Sequence, residues 1–180
     1  MCLLPLEVYK RIMRCLVLNH DFTFLGFTSY QGAICASYTG KAVVMEEYDR
    51  VLHSPSVSMH VPAVIRLKHF VKVAYQKIAY ISYTKRNVHL RDNYVCAYCE
   101  IKKPSHQLGI DHVLPESRGG LATWENTVSC CHPCNSDKGD RTPAEAGMNL
   151  SRKPHRPKGF REIVRIRCGE IHDLWTKYLY

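Results

Sequence analysis

No apolar run in this 180-residue chain approaches the roughly 18 residues that a membrane-crossing helix requires, so a helical membrane protein is not expected. The opening, Met1-Cys2-Leu3-Leu4-Pro5-Leu6-Glu7, lacks the basic flank, long apolar stretch and small-residue cleavage site of a secretory signal. A soluble, cytoplasmic protein is therefore expected. Acidic residues are the scarcer charge, 16 against 25 basic, and the formal net charge is +9. Such a surface favours polyanions, nucleic acid first and acidic membrane second, with plain solubility as the bland alternative. Nine cysteines is an odd number, which rules out complete internal pairing. In a reducing compartment disulfides are not expected, and clustered cysteines are read first as metal ligands. With 46% hydrophobic and 23% charged residues, wholesale disorder is excluded as well.

The length allows one modest domain or two small ones. Short apolar segments run Ile12 to Leu18, Phe22 to Phe27 and Val43 to Met45. Between them the stretch from Ser29 to Tyr38 predicts a short helix, capped by Ser29 and stopped near Gly40. Val43 to Tyr48 reads as a strand, His53 to Ser56 as a loop, and Val61 to Val73 as a strand pair or an irregular extended stretch. Val71, Val73 and Tyr75 alternate with polar or small residues, which suits a strand. This gives a small α/β region over 1–84 in which no chemistry is legible, though it is a place for DNA or a partner to dock. Thr84 to Asp92 fits a short helix capped by Thr84. Beyond residue 150 the chain is basic: Arg152, Lys153, Arg156, Lys158, Arg161, Arg165 and Arg167 face Glu162. The piece 151–180 is expected to be an extended basic arm followed by an apolar segment that docks back.

Two short repeats of one pattern carry the strongest signal. Cys96-x-x-Cys99 and Cys131-x-x-Cys134 each present two thiolates from a tight turn, and together they suit a tetrahedral zinc site. A four-thiolate site has no open position, so its role is structural rather than hydrolytic. Cys2, Cys15, Cys35, Cys130 and Cys168 are assigned to packing. Between the pairs lies Leu108-Gly109-Ile110-Asp111-His112-Val113-Leu114-Pro115, an acid–histidine pair on a short apolar strand. A glycine-bearing loop follows it, and Asn135 comes directly after Cys134. His89, His106 and His132 are read as surface or phosphate-contacting residues.

At "NVHLRDNYVCAYCE", "LGIDHVLPESRGG" and "TWENTVSCCHPCNSDKGDRTPAEAGM" the sequence resembles the HNH endonucleases of bacteria and phages. The resemblance covers about 85–150, and "GKAVVMEEY" with "SPSVSMHVPAVIRLKHFVKV" looks like the region that precedes the nuclease in such proteins. It implies an α+β protein: an α/β region over 1–84, a zinc-stabilised ββα-metal nuclease domain over 85–150, and the arm over 151–180. It also implies a chemistry, hydrolysis of DNA to 5′-phosphate and 3′-hydroxyl ends. His112 would be the general base. Asp111 and Asn135 would hold one Mg2+ or Mn2+ ion, and Asn126 would tie the loop after the strand and so orient His112. The family often has His at the position of Asn135, and the amide oxygen leans towards magnesium or manganese.

Arg118, Lys138, Arg141, Arg152, Lys153, Arg156 and Lys158 are the candidate contacts to the DNA backbone. Contacts of that kind position a duplex without reading it. Two alternatives stand beside the nuclease: a zinc-stabilised nucleic-acid-binding module without catalysis, and an interaction protein docking through its N-terminal region. The sequence leaves open the pathway, nicking against double-strand cutting, and monomer against homodimer.

Overall fold

The computed structural model describes residues 14–74, 80–169 and 171–179. The chain divides into two units. One takes in the residues up to Tyr80 together with the segment after Gly169; the other is Ile81–Gly169. The stretch 151–180, read above as one piece, is thus shared between the units.

The first unit is a four-stranded sheet of β1 (Arg14–Leu18), β2 (Phe24–Ser29), β3 (Ala42–His53) and β4 (Ser58–Leu67), in the order β2-β1-β4-β3. Only the β1–β4 pairing is parallel. Helix α1 (Tyr30–Tyr38) starts where Ser29 Oγ accepts the Gly32 N–H at 3.2 Å, as a serine cap should. It covers one sheet face through Ala33 and Ala36, packing with Cys15, Val17, Ala42, Val44, Ile65 and Leu67. On the other face Leu16, Leu18, Phe24 and Val64 are buried. The indole of Trp175, on the short helix α5 (Asp173–Thr176; α2 to α4 lie in the second unit), meets Phe27 at 5.2 Å and donates to the Ala63 carbonyl at 3.0 Å.

The alternation Val71, Val73, Tyr75 does not produce a strand at 71–74, and Tyr75 lies outside the described residues. The side chain of Asn19 explains this. It accepts the Val71 N–H and donates to the Val71 carbonyl, both at 2.9 Å, supplying the partners that a neighbouring strand would otherwise have given. Cys15 and Cys130 are fully buried, as packing residues are, but Cys35 is exposed on α1 and Cys168 only half-buried. Cys2 lies outside the described residues.

The second unit begins with α2 (Lys85–Arg91), where Thr84 Oγ1 accepts the Asn87 N–H at 3.2 Å. A hairpin of β5 (Leu108–His112) and β6 (Thr127–Cys131) follows, with Leu108 opposite Cys131 and His112 opposite Thr127. Helix α3 (His132–Lys138) continues directly from β6, and α4 (Phe160–Cys168) closes the unit. A ββα core is thus wrapped by two further helices. No described helix is long and apolar enough to cross a membrane.

Candidate active site and metal centre

The second unit is organised around a buried cation. Arg91, 3% exposed, uses every donor of its guanidinium. Nε and Nη2 hold the Asp92 carboxylate at 2.8 and 3.0 Å, while Nη1 and Nη2 reach the carbonyls of Trp124, His155 and Thr127 at 2.7–3.0 Å. Asp92 Oδ2 in turn accepts the Ser129 N–H of β6 at 2.8 Å. This node joins α2, the hairpin and the C-terminal arm. The sequence reading missed it, although an Arg–Asp pair ending a helix beside the first cysteine pair was its visible trace. His89 is also buried rather than superficial: its Nδ1 lies 2.9 Å from Ser129 Oγ. Burial, with Lys85 nearby, holds its imidazole below the ordinary 6.5.

Past α2, Asn93 and Tyr94 take positive φ angles of 57° and 58° and turn the chain into the first cysteine loop. That loop is pinned to β6 by the Ala97 N–H on the Ser129 carbonyl at 2.9 Å. Cys131 and Cys134 arrive from the junction of β6 and α3. All four sulfurs of Cys96, Cys99, Cys131 and Cys134 lie within 4.8 Å of one another. Burial pushes the Cys96 thiol up, but backbone N–H groups of Cys99, Cys131 and Tyr98 outweigh it and bring the thiol down to about 6. Four convergent soft donors, one of them already inclined to ionise, form a metal-binding cluster whose chemistry suits zinc.

Asp111 is 6% exposed and tied on both oxygens. Tyr98, the residue between the first two cysteines, donates its hydroxyl to Oδ2 at 2.5 Å. The ammonium of Lys138 sits 2.9 Å from Oδ1 and also donates to the His112 carbonyl at 3.0 Å. Lys138 was expected to grip a phosphate; at 1% exposure it does not reach solvent, because its charge is the partner of the buried Asp111 carboxylate. Asn135 is exposed on α3, three residues before Lys138. The sequence reading overlooked Tyr98. Its position inside a cysteine pair was the available signal.

His112 ends β5 with its side chain 19% exposed, and its Nε2 lies 3.2 Å from a Glu116 carboxylate oxygen, without hydrogen-bond geometry. Asn126 secures the loop that follows. Its Oδ1 accepts the Leu114 N–H at 2.9 Å, and its Nδ2 donates to the carbonyls of Leu114 and Leu121 at 3.1 and 3.0 Å. Gly120 is required here for space: a Cβ would stand 1.8 Å from the Leu114 carbonyl oxygen and 2.9 Å from Asn126 Nδ2.

The remaining basic candidates divide by how engaged they are. Arg118 grips both oxygens of Glu145, at 2.7 and 2.8 Å. Arg141 donates to the carbonyls of Asp137 and Lys138 at the end of α3. In the arm, Pro154 and Pro157 are buried while Lys153, Arg156 and Lys158 are exposed and Arg152 is half-buried. This threefold spacing is that of an extended proline-rich strand with one face docked. His132 is exposed, its Nε2 3.3 Å from the His106 carbonyl.

Comparison with known proteins falls on both units. The family described as "HNH endonuclease-associated, N-terminal domain" matches residues 15–75, and the family described as "HNH endonuclease" matches residues 96–151. No curated protein matches the chain. Among solved structures it is similar to the Type II-C Cas9 enzyme from Actinomyces naeslundii, at 22% identity and a TM-score of 0.30. That likeness covers 57% of this chain, which spans 11% of the length of the Cas9 chain. The hairpin, its following helix and the four-cysteine cluster all lie inside residues 96–151, so the second unit carries a domain of the HNH endonuclease family.

Proposed function

We propose that the chain hydrolyses DNA phosphodiester bonds at a single active site built on β5 and α3, leaving 5′-phosphate and 3′-hydroxyl ends. The observation that carries this reading is the placement of Asp111: a buried carboxylate, braced from the cysteine loop by Tyr98 and from α3 by Lys138, next to a histidine whose Nε2 is buried without a hydrogen-bond partner. His112 takes a proton from the attacking water, the task of a general base within reach of that water. Asn126 holds the loop beyond His112, and Glu116 stands beside the ring.

Asp111 and Asn135 fit a magnesium or manganese ion. Both offer hard oxygen donors, and each Asp111 oxygen keeps lone-pair capacity after its bond to Lys138 or Tyr98. Bound there, such an ion supplies Lewis-acid stabilisation to the phosphate and the departing oxygen. Cys96, Cys99, Cys131 and Cys134 would hold zinc, which would tie the first cysteine loop to the junction of β6 and α3, the helix that carries Asn135. Lys153, Arg156 and Lys158 lead the contacts to the DNA backbone, and Arg152 lies beside them. Arg118 and Arg141 reach a phosphate by exchanging their present carboxylate and carbonyl partners.

The test is purified protein on supercoiled plasmid across a series of divalent ions, with end-labelling of the products. Nicked circles that appear with magnesium or manganese and carry 5′-phosphates support the reading. Salt-sensitive binding without cleavage under any ion contradicts it.

A further inference from the structure

The first unit is polarised along its sheet. At one end, where β1 and β4 finish and β3 begins, Lys41, Arg66, Lys68 and Lys72 gather. The register brings the first three together: Val43 lies opposite Arg66 and Ala42 opposite Leu67, and the Lys68 N–H donates to the Lys41 carbonyl at 3.0 Å. The bonds of Asn19, just past β1, to Val71 bring Lys72 to the same end. Lys41 and Lys68 are therefore cross-strand neighbours on one face, together with Arg66. Like charges placed opposite each other on paired strands destabilise a sheet. Among the described residues, the one carboxylate at this end is Asp21, and its Oδ1 is taken by the Thr23 N–H and hydroxyl at 3.1 and 2.6 Å. Glu46, Glu47 and Asp49 lie farther along β3, roughly 16 Å or more from Lys41 at about 3.3 Å per residue and beyond the screening length at physiological salt, and Glu46 is already held by Lys177 and Tyr178.

At this corner α1 covers the opposite face, through Ala42 and Leu67. Lys41, Lys68 and Lys72 are exposed. The guanidinium of Arg66 lies 5.0 Å over the ring of Phe22, itself 48% exposed, and is held by the His20 carbonyl at 3.1 Å. Its Nε is buried without a hydrogen-bond partner. Phe70, 60% exposed, stands between Lys68 and Lys72 in the chain. Unneutralised cations alternating with exposed aromatic rings are the surface that a polynucleotide strand recognises, phosphates on the cations and bases on the rings.

We propose that this end of the first unit is a second DNA-binding surface, separate from the nuclease module, that grips the phosphate backbone through Lys41, Arg66, Lys68 and Lys72. The proposal rests on the reading that the chain acts on DNA. It gives the unit a substrate-holding role beyond the catalytic one.

The test uses the full chain without added divalent ion, so that nothing is cleaved, and measures fluorescence anisotropy with a labelled duplex and a labelled single strand over a salt series. The variant carries Lys41→Gln, Lys68→Gln and Lys72→Gln. Each lost contact reduces the slope of log affinity against log salt by about 0.9 on duplex or about 0.7 on single strand. A slope lower by about two to three on at least one of the two DNA forms is expected, with an unchanged melting transition. Lys68→Gln alone serves as the milder variant, with a change of about one. A wild-type protein that binds DNA and a triple variant with the same slope would overturn this proposal alone. A wild-type protein that binds neither DNA form would overturn the reading beneath it.

Discussion

Replacing Lys138 by Met tests whether the buried lysine is the structural partner of Asp111. The pair is 2.9 Å apart with side chains 1% and 8% exposed, so neither charge is rescued by water when its partner goes. Removing one member of such a pair costs about 3–5 kcal/mol, because the remaining charge is left uncompensated. Tyr98 still donates to Asp111, which puts the expectation near the lower end. Asp111→Asn carries a similar cost from the other side, stranding the ammonium of Lys138. The double variant, with no buried charge at the site, is expected to lose less than either single variant's loss added to the other, by about 2 kcal/mol or more. Urea unfolding followed by amide hydrogen exchange across β5 and β6 reads this locally. A magnesium or manganese ion held by Asp111 restores part of the stability of Lys138→Met, about 2.7 kcal/mol at one hundred times its dissociation constant, and restores none in the double variant. Strictly additive costs, or metal rescue that persists without the Asp111 carboxylate, would refute the reasoning.

Three further outcomes follow from the same geometry. Gly120→Ala forces a Cβ against the Leu114 carbonyl and the Asn126 amide; a loss of about 1–3 kcal/mol in stability and a marked fall in plasmid nicking are expected, and unchanged nicking would show that the loop does not set His112. Cys96→Ser is expected to release the zinc and unfold the second unit together, read by metal analysis and thermal melting; retained zinc with an unchanged transition contradicts it. Because His89 is held below its ordinary 6.5, the unfolded chain binds the proton more readily than the folded one. Its contribution is therefore present above about pH 6.5 and is lost as pH falls below that value towards the lower folded pKa; urea midpoints between pH 7 and 5 should fall less steeply in His89→Gln.

Parts of both units are legible in the sequence because their determinants are local. The cysteine pairs announce two tight turns, and Thr84 and Ser29 announce helix starts whose caps form as side-chain spacing requires. What the sequence conceals are partners far apart in the chain. Lys138 looks like any lysine at the end of a helix until the fold places its ammonium against Asp111. Arg91 looks like a surface charge until three distant carbonyls close around it. The strand expected from Val71 to Tyr75 is absent at 71–74 because one distant side chain, Asn19, takes the Val71 N–H and C=O, which no period-two pattern signals. Buried ion pairs and side-chain-to-backbone bonds of this kind depend on tertiary contact, and hydrophobic periodicity carries no trace of them.

The most direct measurement on the central claim is the rate of supercoiled-plasmid nicking by His112→Ala beside the unaltered protein, in magnesium, with zinc content and melting transition matched. Loss of a positioned general base is expected to slow nicking by about 10²–10⁴-fold while DNA binding persists. A variant that nicks at the original rate would remove His112 from the chemistry and the proposed mechanism with it.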